Sequence, residues 1–448
     1  MKKKVWLLCI FISSLVCVSC AMNQGAAQPV SKVPAEQDTL EMEPDFSYIV
    51  PLQVPHILVD QTGYQNRDKK VAFFYGKDLD ETFEVRDDST EEVVYSGTLR
   101  QLREKDGQML YTGMFTEFAE SGTYYIHQKQ VGDSYSFTIG TSIYNQKYKK
   151  RENILLKEKF TQVSEQAYLL ANYMFIDEMF SKTWTNISYI RAKMEMLLYS
   201  QDSVSGAFYS EIVEAPIDTE NYDGTISLST TAQMAGVLAQ YVYLYRETED
   251  PVFINKCLQA SQKAYRYMEK YRDNTDTDTW YYAATQLYRL TRQYKYRNAI
   301  IEYDTLPVGS RSSTTYGYTI LADFTYLSTP YGTDYNRCEL LLDQYLDKAR
   351  DISTKSTREN FYVHPDIASM SDKEILDDMM ILGVVNHVLS GQEYAGVQKN
   401  YIHYLSGANP DGQNYLNTWM QKEDETDGMN AGNAIKMLVV YANLYDNT

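Results

Sequence analysis

Three groups of carboxylates are the side chains of this sequence best suited to acid–base chemistry. One is the run Glu-Asp-Glu-Thr-Asp from Glu423 to Asp427, which precedes an apolar helical pattern at the end of the chain. The others are the segment 218–223 (Asp-Thr-Glu-Asn-Tyr-Asp) and the adjacent pair Asp377 and Asp378. Two carboxylates in different environments can divide the roles of general acid and general base. Whether any of the three groups is placed for catalysis depends on the helices and strands that position its side chains.

Other chemistries find less support in the sequence. The five histidines are scattered without metal-ligand spacing, so neither a zinc site nor another cofactor is expected. The formal net charge of −18 repels phosphate groups and argues against a nucleic-acid partner. Cys257 and Cys338 each stand alone in a helical pattern, which favours two buried thiols over a disulfide. The sequence leaves the oligomeric state open.

The N-terminus has the pattern of an export signal. Met1-Lys-Lys-Lys4 is followed by a largely apolar run, Val5 to Val16, that is too short to span a bilayer. The residues Val-Ser-Cys20, followed by Ala-Met-Asn-Gln, resemble a bacterial lipoprotein cleavage box, which implies lipidation at Cys20; simple secretion is the alternative. Residues 21–52 are polar and aperiodic, as in a flexible tether. We therefore expect a signal peptide over 1–20 and a cell-surface protein whose membrane contact is the lipid anchor.

The remaining chain divides into two regions of different period. Over 53–142 apolar residues alternate, as in Phe83/Val85 and Phe137/Ile139, which predicts a small antiparallel β-sandwich. From 146 to 448 the apolar spacing is helical and no strand pattern intervenes. Because no repeat length recurs, a closed toroid of helical hairpins is favoured over an open solenoid. About ten helical patterns are present, at 155–175, 187–200, 234–245, 253–268, 279–292, 315–328, 335–350, 372–389, 394–406 and 430–445.

A series of short motifs carries a resemblance to a known family. The sandwich region contains Ile57-Leu-Val-Asp-Gln-Thr-Gly-Tyr64, Phe83-Glu-Val-Arg86, Ser121-Gly-Thr-Tyr-Tyr125 and Ser136-Phe-Thr-Ile-Gly140. The helical region contains Ser205-Gly-Ala-Phe-Tyr209, the segment 227–239, Asp250-Pro-Val-Phe253 and Tyr404-Leu-Ser-Gly-Ala-Asn-Pro410. With these motifs, the sandwich region is similar to the N-terminal immunoglobulin-like domain of family-9 glycoside hydrolases, and the helical region is similar to that family's (α/α)6 barrel.

The resemblance implies inverting hydrolysis of a glycan, for which the family uses two carboxylates. Its general base is an aspartate in an Asp-Ala-Gly-Asp segment before the early barrel helices. Here the segment 143–148 runs almost directly into 166–171 without such a motif, so no base is identified. The family's general acid is a glutamate six residues before the asparagine that opens the last helix. Counting back from Asn430 reaches Asp424 and from Asn433 reaches Asp427, which are the possible acids; Glu423 and Glu425 are each one residue out of register.

These departures favour a non-catalytic interpretation of all three carboxylate groups. The family also carries a loop with histidines and an arginine after its Asn-Pro turn, and here the ten or so residues after Asn409-Pro410 contain neither. The run from Glu423 to Asp427 is then a solvated turn that stabilises the last helix through its dipole. The segment 218–223 is interpreted as a solvated loop and the pair at 377–378 as a solvated helix surface.

Aromatic residues at predicted helix ends suggest a glycan cleft instead. Apolar faces of sugar rings stack on aromatic rings, and a cleft with few charges suits a neutral glycan. Eight residues are predicted to line the mouth of the barrel: Tyr222, Trp280, Tyr281, Tyr316, Tyr318, Tyr362, Tyr415 and Trp419.

The leading hypothesis is a surface-anchored protein of the family-9 type, acting in β-glucan utilisation, that binds a polysaccharide or oligosaccharide without hydrolysing it. One alternative is a divergent glycosidase that uses Asp424, Asp427 or a neighbouring glutamate as its acid. A weaker alternative is a protein–protein scaffold, which a barrel mouth plugged by its own side chains would favour.

Overall fold

The structure is a computed structural model that describes residues 54–105, 108–180, 185–216, 222–272, 275–307, 317–389, 391–416 and 428–446. The predicted signal peptide, Cys20 and the tether lie outside the described residues. No helix in these ranges combines the length and the apolar character needed to cross a membrane.

The first domain is a β-sandwich whose strands follow the predicted alternation. The long strand β5 bends between its two layers: its residues up to Thr98 pair with β4, and those from Leu99 onward pair with β6. Phe74, Phe83 and Phe137 pack between the layers because every second residue of each strand points inward. The strands are β1 Ile57–Leu58, β2 Tyr64–Gln65, β3 Val71–Gly76, β4 Thr82–Asp87, β5 Val93–Lys105, β6 Gln108–Met114, β7 Gly122–Gln128, β8 Gly132–Asp133 and β9 Phe137–Gly140.

The second domain is an (α/α)6 barrel, as predicted. Six inner helices, α2, α4, α6, α8, α10 and α12, form a ring in which α12 closes against α2, and an outer helix precedes each inner one. The helices are α1 Ile143–Lys157, α2 Val163–Met179, α3 Ile187–Leu197, α4 Leu228–Tyr245, α5 Pro251–Lys270, α6 Thr277–Thr291, α7 Tyr294–Thr305, α8 Thr319–Leu327, α9 Tyr335–Ser356, α10 Asp372–Val388, α11 Ala395–Leu405 and α12 Gly428–Asp446.

The inner helices are buried on almost every face, whereas the outer ones bury only one stripe. In α4, fourteen of eighteen residues are buried, while α5 buries the predicted series Phe253, Cys257, Ala260, Ala264 and Met268. A Ser227 cap opens α4 and an Asp250 cap opens α5, each accepting backbone N–H bonds of the first turn. The two cysteines of this domain are free thiols, as expected, but Cys338 is only partly buried.

The structure corrects three details of the predicted elements. Helix α1 was not predicted as an element of its own, because its Lys- and Glu-rich residues leave only five buried positions. Helix α7 was missed for the same reason, since four of its twelve residues are buried. Two short strands, β10 Phe208–Tyr209 and β11 Ile226–Ser227, also lie between helices where no strand was expected.

A cluster of charges joins the sandwich to the barrel, and we name it the seam: Asp60, Asp68, Lys147, Lys399 and His403. Asp60 is fully buried and its carboxylate lies 2.8 Å from Nδ1 of His403 and 4.0 Å from Nζ of Lys147. Asp68 accepts a bond of 2.5 Å from Nζ of Lys399. Each carboxylate of the sandwich therefore meets a cationic group of the helical domain, which fixes the two domains to one another.

Candidate functional site

The mouth of the barrel is the end at which the six inner helices begin. They share this end because an outer helix returns the chain between successive inner helices. The helix starts place α2, α6, α8 and α10 around a common axis there, and the side chains of their first turns determine what the mouth can bind. In (α/α)6 folds, as in other helical folds, such helix starts carry unpaired N–H groups and favour polar or anionic partners.

The connection between α1 and α2 is very short. Only residues 158–162 (Glu-Lys-Phe-Thr-Gln) separate the two helices, and they contain no aspartate. The predicted absence of an Asp-Ala-Gly-Asp segment thus corresponds to a tight turn. Glu165, in the first turn of α2, is a half-buried carboxylate beside this turn. Burial raises the pKa of Glu165, with a smaller increase from Glu158 and a decrease from the backbone N–H of Gln162.

An aromatic group closes the axis just below the mouth. The ring of Tyr318, which immediately precedes α8, lies 5.3 Å from the ring of Tyr168 and 4.8 Å from that of Tyr282, centroid to centroid. All three side chains are buried. The backbone N–H of Tyr318 donates to Oδ2 of buried Asp278 at 3.0 Å, which holds the start of α8 against α6. The interior of the barrel is therefore filled, and a ligand at this end would lie above these rings.

Two lysines and one aspartate form a charged group at the mouth. Asp377 on α10 accepts from Nζ of Lys373 through Oδ2 at 3.0 Å and from Nζ of Lys436 on α12 through Oδ1 at 2.5 Å. The Lys436 side chain is 2% exposed and that of Lys373 is 29% exposed. Burial lowers the pKa of Lys436, although the charge of Asp377 opposes this shift. Both ammonium groups also face Gly317, since a Cβ at that glycine would lie 3.6 Å from one Nζ and 3.9 Å from the other.

The interpretation of Asp377 and Asp378 as a solvated helix surface is wrong. Asp378 is buried, and its carboxylate lies 3.5 Å from Nζ of Lys348 on α9. Burial raises the pKa of Asp378, against the opposing charge of Lys348. As neighbours on a helix the two aspartates do point in different directions, but each finds a lysine of another element. Neither side of α10 is left to solvent at this position.

Several predicted site residues fall outside the described residues. These are the acidic run from Glu423 to Asp427, including both possible acids Asp424 and Asp427, and the aromatic residues Tyr316 and Trp419. Of the acidic segment 218–223, Tyr222 and the exposed Asp223 are described. The roles proposed for the other residues stay predictions.

Three of the predicted stacking residues are in the core, which corrects their assignment to an open cleft. Trp280, Tyr281 and Tyr318 are 2%, 0% and 0% exposed. The ring of Trp280 is covered by the guanidinium of Arg272 at 3.6 Å, and Tyr281 stacks on Tyr303 at 4.0 Å. Since their ring faces are already in contact with protein, they are not available to a sugar. The three residues do lie near helix starts, as predicted. The inner helices, however, are buried from their first turn onward, so these side chains are part of the core.

The other three described aromatic residues are half-buried and lie at different places. Tyr222 precedes α4 at the mouth and meets Tyr209 edge to face at 4.8 Å. The hydroxyl of Tyr415 donates to Asp411 at 2.8 Å. Tyr362 instead packs toward the sandwich, where Nζ of Lys69 lies 4.2 Å from its ring centroid. Of these three, Tyr222 is the one beside the start of an inner helix.

Lys373, Lys436 and Glu165 were not recognised from the sequence as residues of the mouth. A signal for Lys436 was available: it is the only charged residue in the run Ala434-Ile-Lys-Met-Leu-Val-Val-Tyr441, and a lysine in an otherwise apolar helix needs a partner. Metal binding finds no support in the described ranges, where no group of three or more His, Cys, Asp or Glu side chains could hold an ion.

Comparison with known proteins agrees with this architecture. The sequence profile of the cellulase N-terminal ig-like domain matches residues 53–133, and that of glycosyl hydrolase family 9 matches residues 215–424. The helical region is thus similar to glycosyl hydrolase family 9. The family-9 match begins after the short α1–α2 connection. No curated protein sequence matches the chain.

Solved structures of family-9 proteins share the fold over most of this chain. A metagenome-derived family-9 endoglucanase is 17% identical, covers 87% of this chain and 99% of its own, and superposes with a TM-score of 0.68. A Bacteroides ovatus family-9 protein is 15% identical, covers 87% of this chain and 99% of its own, and superposes with a TM-score of 0.68. A thermostable endoglucanase variant from Alicyclobacillus acidocaldarius is 15% identical, covers 88% of this chain and 100% of its own, and superposes with a TM-score of 0.66. Identities this low establish the common fold and leave the chemistry to the residues of the site.

Proposed function

We propose that this family-9-like protein binds a glycan at the mouth of its barrel and does not hydrolyse it by the family's inverting mechanism. The observation that carries the proposal is the α1–α2 connection, in which five residues replace the segment that would hold the general base. An inverting glycosidase needs a carboxylate there to activate water on the face of the sugar opposite the general acid. Without this carboxylate, no water is activated to attack the sugar while the general acid protonates the leaving oxygen.

Two described carboxylates of the mouth, those of Asp377 and Asp278, do not replace the missing base. Asp377 has both oxygens engaged by ammonium groups, and Asp278 accepts from backbone N–H groups at Thr279 and Tyr318. A base must have a free lone pair directed at the water that it deprotonates. Their hydrogen bonds therefore support a structural role for both.

Glycan binding is supported by the family and by the character of the mouth. Among the solved structures of this fold, one is AaCel9A in complex with cellobiose-like isofagomine. In this chain, half-buried Tyr222 offers an aromatic edge beside the start of α4, and the two lysines offer hydrogen-bond donors. A polar rim around aromatic surface is the usual composition of a carbohydrate site.

The test combines hydrolysis and binding on the same material. The full chain, purified in mild detergent, is incubated with a panel of β-glucans; reducing-sugar release is measured, and binding to each glucan is measured by affinity electrophoresis. We expect retardation by at least one glucan and no release above the protein-free blank. Alanine variants of Glu423, Asp424, Glu425 and Asp427 run alongside. Release that one of these substitutions abolishes would overturn the proposal.

We further propose that the protein is exported and held at the cell surface by a lipid on Cys20. The support is the signal pattern of residues 1–20 and the cysteine that ends it. Metabolic labelling with a fatty acid should label the protein and place it in the membrane fraction. Cys20→Ser should lose both the label and the membrane association. An unlabelled wild-type protein in the culture medium would indicate simple secretion instead.

Glu165 keeps a second candidate function open, that of a divergent glycosidase. Its carboxyl group is half-buried at the mouth and its pKa is raised, as is typical of a general acid. In that case Glu165→Gln would abolish reducing-sugar release by the wild-type chain. The buried rings around Tyr318 fill the barrel axis and leave no deep cleft below them. This observation favours the scaffold alternative. Absence of binding to every glycan would select that scaffold.

A further inference from the structure

The ammonium groups of Lys373 and Lys436 are not fully used by the protein. Each makes one hydrogen bond, and both bonds go to the same carboxylate, that of Asp377. An ammonium group has three N–H donors, so each lysine keeps two donors without a protein acceptor in the described residues. Lys436 is the more significant case, since its side chain is almost fully buried and a buried donor without an acceptor costs free energy.

The charge of this group is also unbalanced. Two cations share one anion, which leaves one positive charge at the mouth of a chain whose formal net charge is −18. The neighbouring Glu374 makes no hydrogen bond to either ammonium group, because its carboxylate bonds to the backbone and hydroxyl of Ser371 in a capping box. Asp378 points away to Lys348. Within the described residues, Asp377 is therefore the one carboxylate that bonds to the two ammonium groups.

Gly317 lies beside both ammonium groups. Both Nζ atoms lie within 4 Å of the point where Gly317 would carry a Cβ, and Gly317 adopts a φ of +71° that L side chains rarely adopt. A side chain at this position would contact both ammonium groups, and the glycine leaves the two Nζ atoms uncovered by a Cβ.

We propose that Lys373 and Lys436 bind an anionic group of a sugar, either a uronate carboxylate or a sugar sulfate. This inference rests on the proposed function, since it names the class of glycan bound at the mouth. An oxyanion of this size can accept from both ammonium groups at once, and it balances the extra positive charge. It also changes one expectation from the sequence, in which a neutral glycan was favoured. The hydroxyl groups of a neutral sugar would accept hydrogen bonds but leave the charge unbalanced.

Three ligands with one backbone test the inference by isothermal titration of the full chain. They are a cello-oligosaccharide, its C6-oxidised uronate form and its O6-sulfated form. We expect one of the charged ligands to bind at least about tenfold more tightly than the neutral parent, and the preference to weaken with salt. Which of the two binds more tightly identifies the carboxylate or the sulfate as the group recognised.

Substitutions assign the preference to these lysines. Lys373→Gln, at a half-exposed position, and Lys436→Met, which keeps the length of a buried side chain, should each reduce the charged-to-neutral ratio to within about twofold. Lys348→Gln is the matched control, because that lysine pairs with the adjacent Asp378 on another face of α10 and should leave the ratio unchanged. Thermal unfolding checks that each variant is folded, and Lys373→Gln keeps the test valid if Lys436→Met is not.

The outcomes separate this inference from the proposed function. Equal affinity for charged and neutral ligands would overturn the anionic assignment while leaving glycan binding in place. A preference that survives both lysine substitutions would also overturn it. If none of the three ligands nor any glucan of the panel binds, the proposed function fails and the inference fails with it.

Discussion

The seam and the mouth are both groups of buried charges, but they differ in the number of carboxylates that face their lysines. At the seam, Asp60 accepts from Thr62 and Gly63 as well as meeting His403 and Lys147, and a second carboxylate, that of Asp68, pairs with Lys399. At the mouth, the single carboxylate of Asp377 bonds to two ammonium groups. A cluster in which each lysine has its own carboxylate holds structure together, whereas two lysines that share one carboxylate can accommodate a further anion.

The same contrast separates what the chain shares with family 9 from what it lacks. Asp60 of the seam belongs to the Ile57-Leu-Val-Asp-Gln-Thr-Gly-Tyr64 motif, which carries the resemblance to the immunoglobulin-like domain. At the mouth, the α1–α2 connection has five residues, and they contain no Asp-Ala-Gly-Asp segment. The resemblance thus includes a residue that joins the two domains, whereas it does not extend to this connection. A protein can keep a fold whether or not it keeps the reaction of its relatives.

The largest effect is expected from breaking the seam. Asp60→Asn keeps the shape of the side chain but leaves Lys147 without its counter-charge and removes the carboxylate that lies beside His403. Removing one partner of a buried ion pair costs about 3–5 kcal/mol, and urea unfolding should show a loss of this size. Asp133→Asn, which breaks an exposed pair with His127, is the control and should cost less than about 1 kcal/mol. Similar losses in the two variants would remove the distinction between a saturated buried cluster and a surface pair.

An asymmetric effect is expected at the mouth. Asp377→Asn leaves two ammonium groups facing each other and should lower the free energy of unfolding by about 1–3 kcal/mol. Lys436→Met removes the surplus cation and leaves Asp377 paired with Lys373, so its effect should stay within about 1 kcal/mol. Urea unfolding of the two variants gives the comparison. A larger loss for Lys436→Met than for Asp377→Asn would mean that the charges of the mouth are balanced without a ligand.

The pH dependence of stability should distinguish the seam from the rest of the chain. Burial alone would raise the pKa of Asp60, but the charge of Lys147 and the bonds from His403 and Thr62 overcome it and hold the pKa below its usual value. A lowered folded-state pKa contributes stability above the unfolded value, about 3.9, and that contribution is lost as the pH falls through the folded-state pKa. The stability gap between wild type and Asp60→Asn should be constant above about pH 4 and narrow below it. If the difference in stability between wild type and Asp60→Asn widened on acidification, the pKa of Asp60 would be raised in the folded protein, contrary to this account.

The smallest effect on stability is expected at the aromatic rim. Tyr222→Ala removes an edge contact with Tyr209, and the unfolding free energy should fall by no more than about 1.5 kcal/mol. If Tyr222 contacts the glycan, affinity should fall by about tenfold. Tyr294→Ala, at a 77% exposed tyrosine that opens α7 at the opposite end of the barrel, is the matched control for titration. Equal losses of affinity in the two variants would contradict a site at the mouth.

Much of the fold could be predicted because it depends on periodic burial. The alternation around Phe83 and Phe137 and the helical spacing of Phe253, Cys257 and Ala260 both correspond to buried faces in the structure. Helices α1 and α7 could not be predicted in the same way, since their few buried residues give a weak period. That the α1–α2 connection holds no Asp-Ala-Gly-Asp segment could also be read from the sequence, because such a motif is local.

The site was harder to predict because its contacts join distant parts of the chain. Asp377 and Asp378 look solvated when judged from their helix alone, and their partners Lys436 and Lys348 come from two other helices. Tyr281 was placed correctly near a helix start, yet the ring of Tyr303 covers it. The burial of a side chain at the start of an inner helix depends on how the six inner helices pack against one another. Local sequence spacing does not predict this packing.

The measurement that tests the central claim most directly is incorporation of water oxygen into glycan products. The full chain is incubated with cellohexaose in oxygen-18 water, and shorter oligosaccharides are sought by mass spectrometry, since each hydrolysed bond places one water oxygen on a new reducing end. Our account predicts no labelled product above the protein-free blank, together with binding of a glycan to the same preparation. Labelled products that disappear in Glu165→Gln, or in an alanine variant of the run from Glu423 to Asp427, would show that the barrel still catalyses hydrolysis.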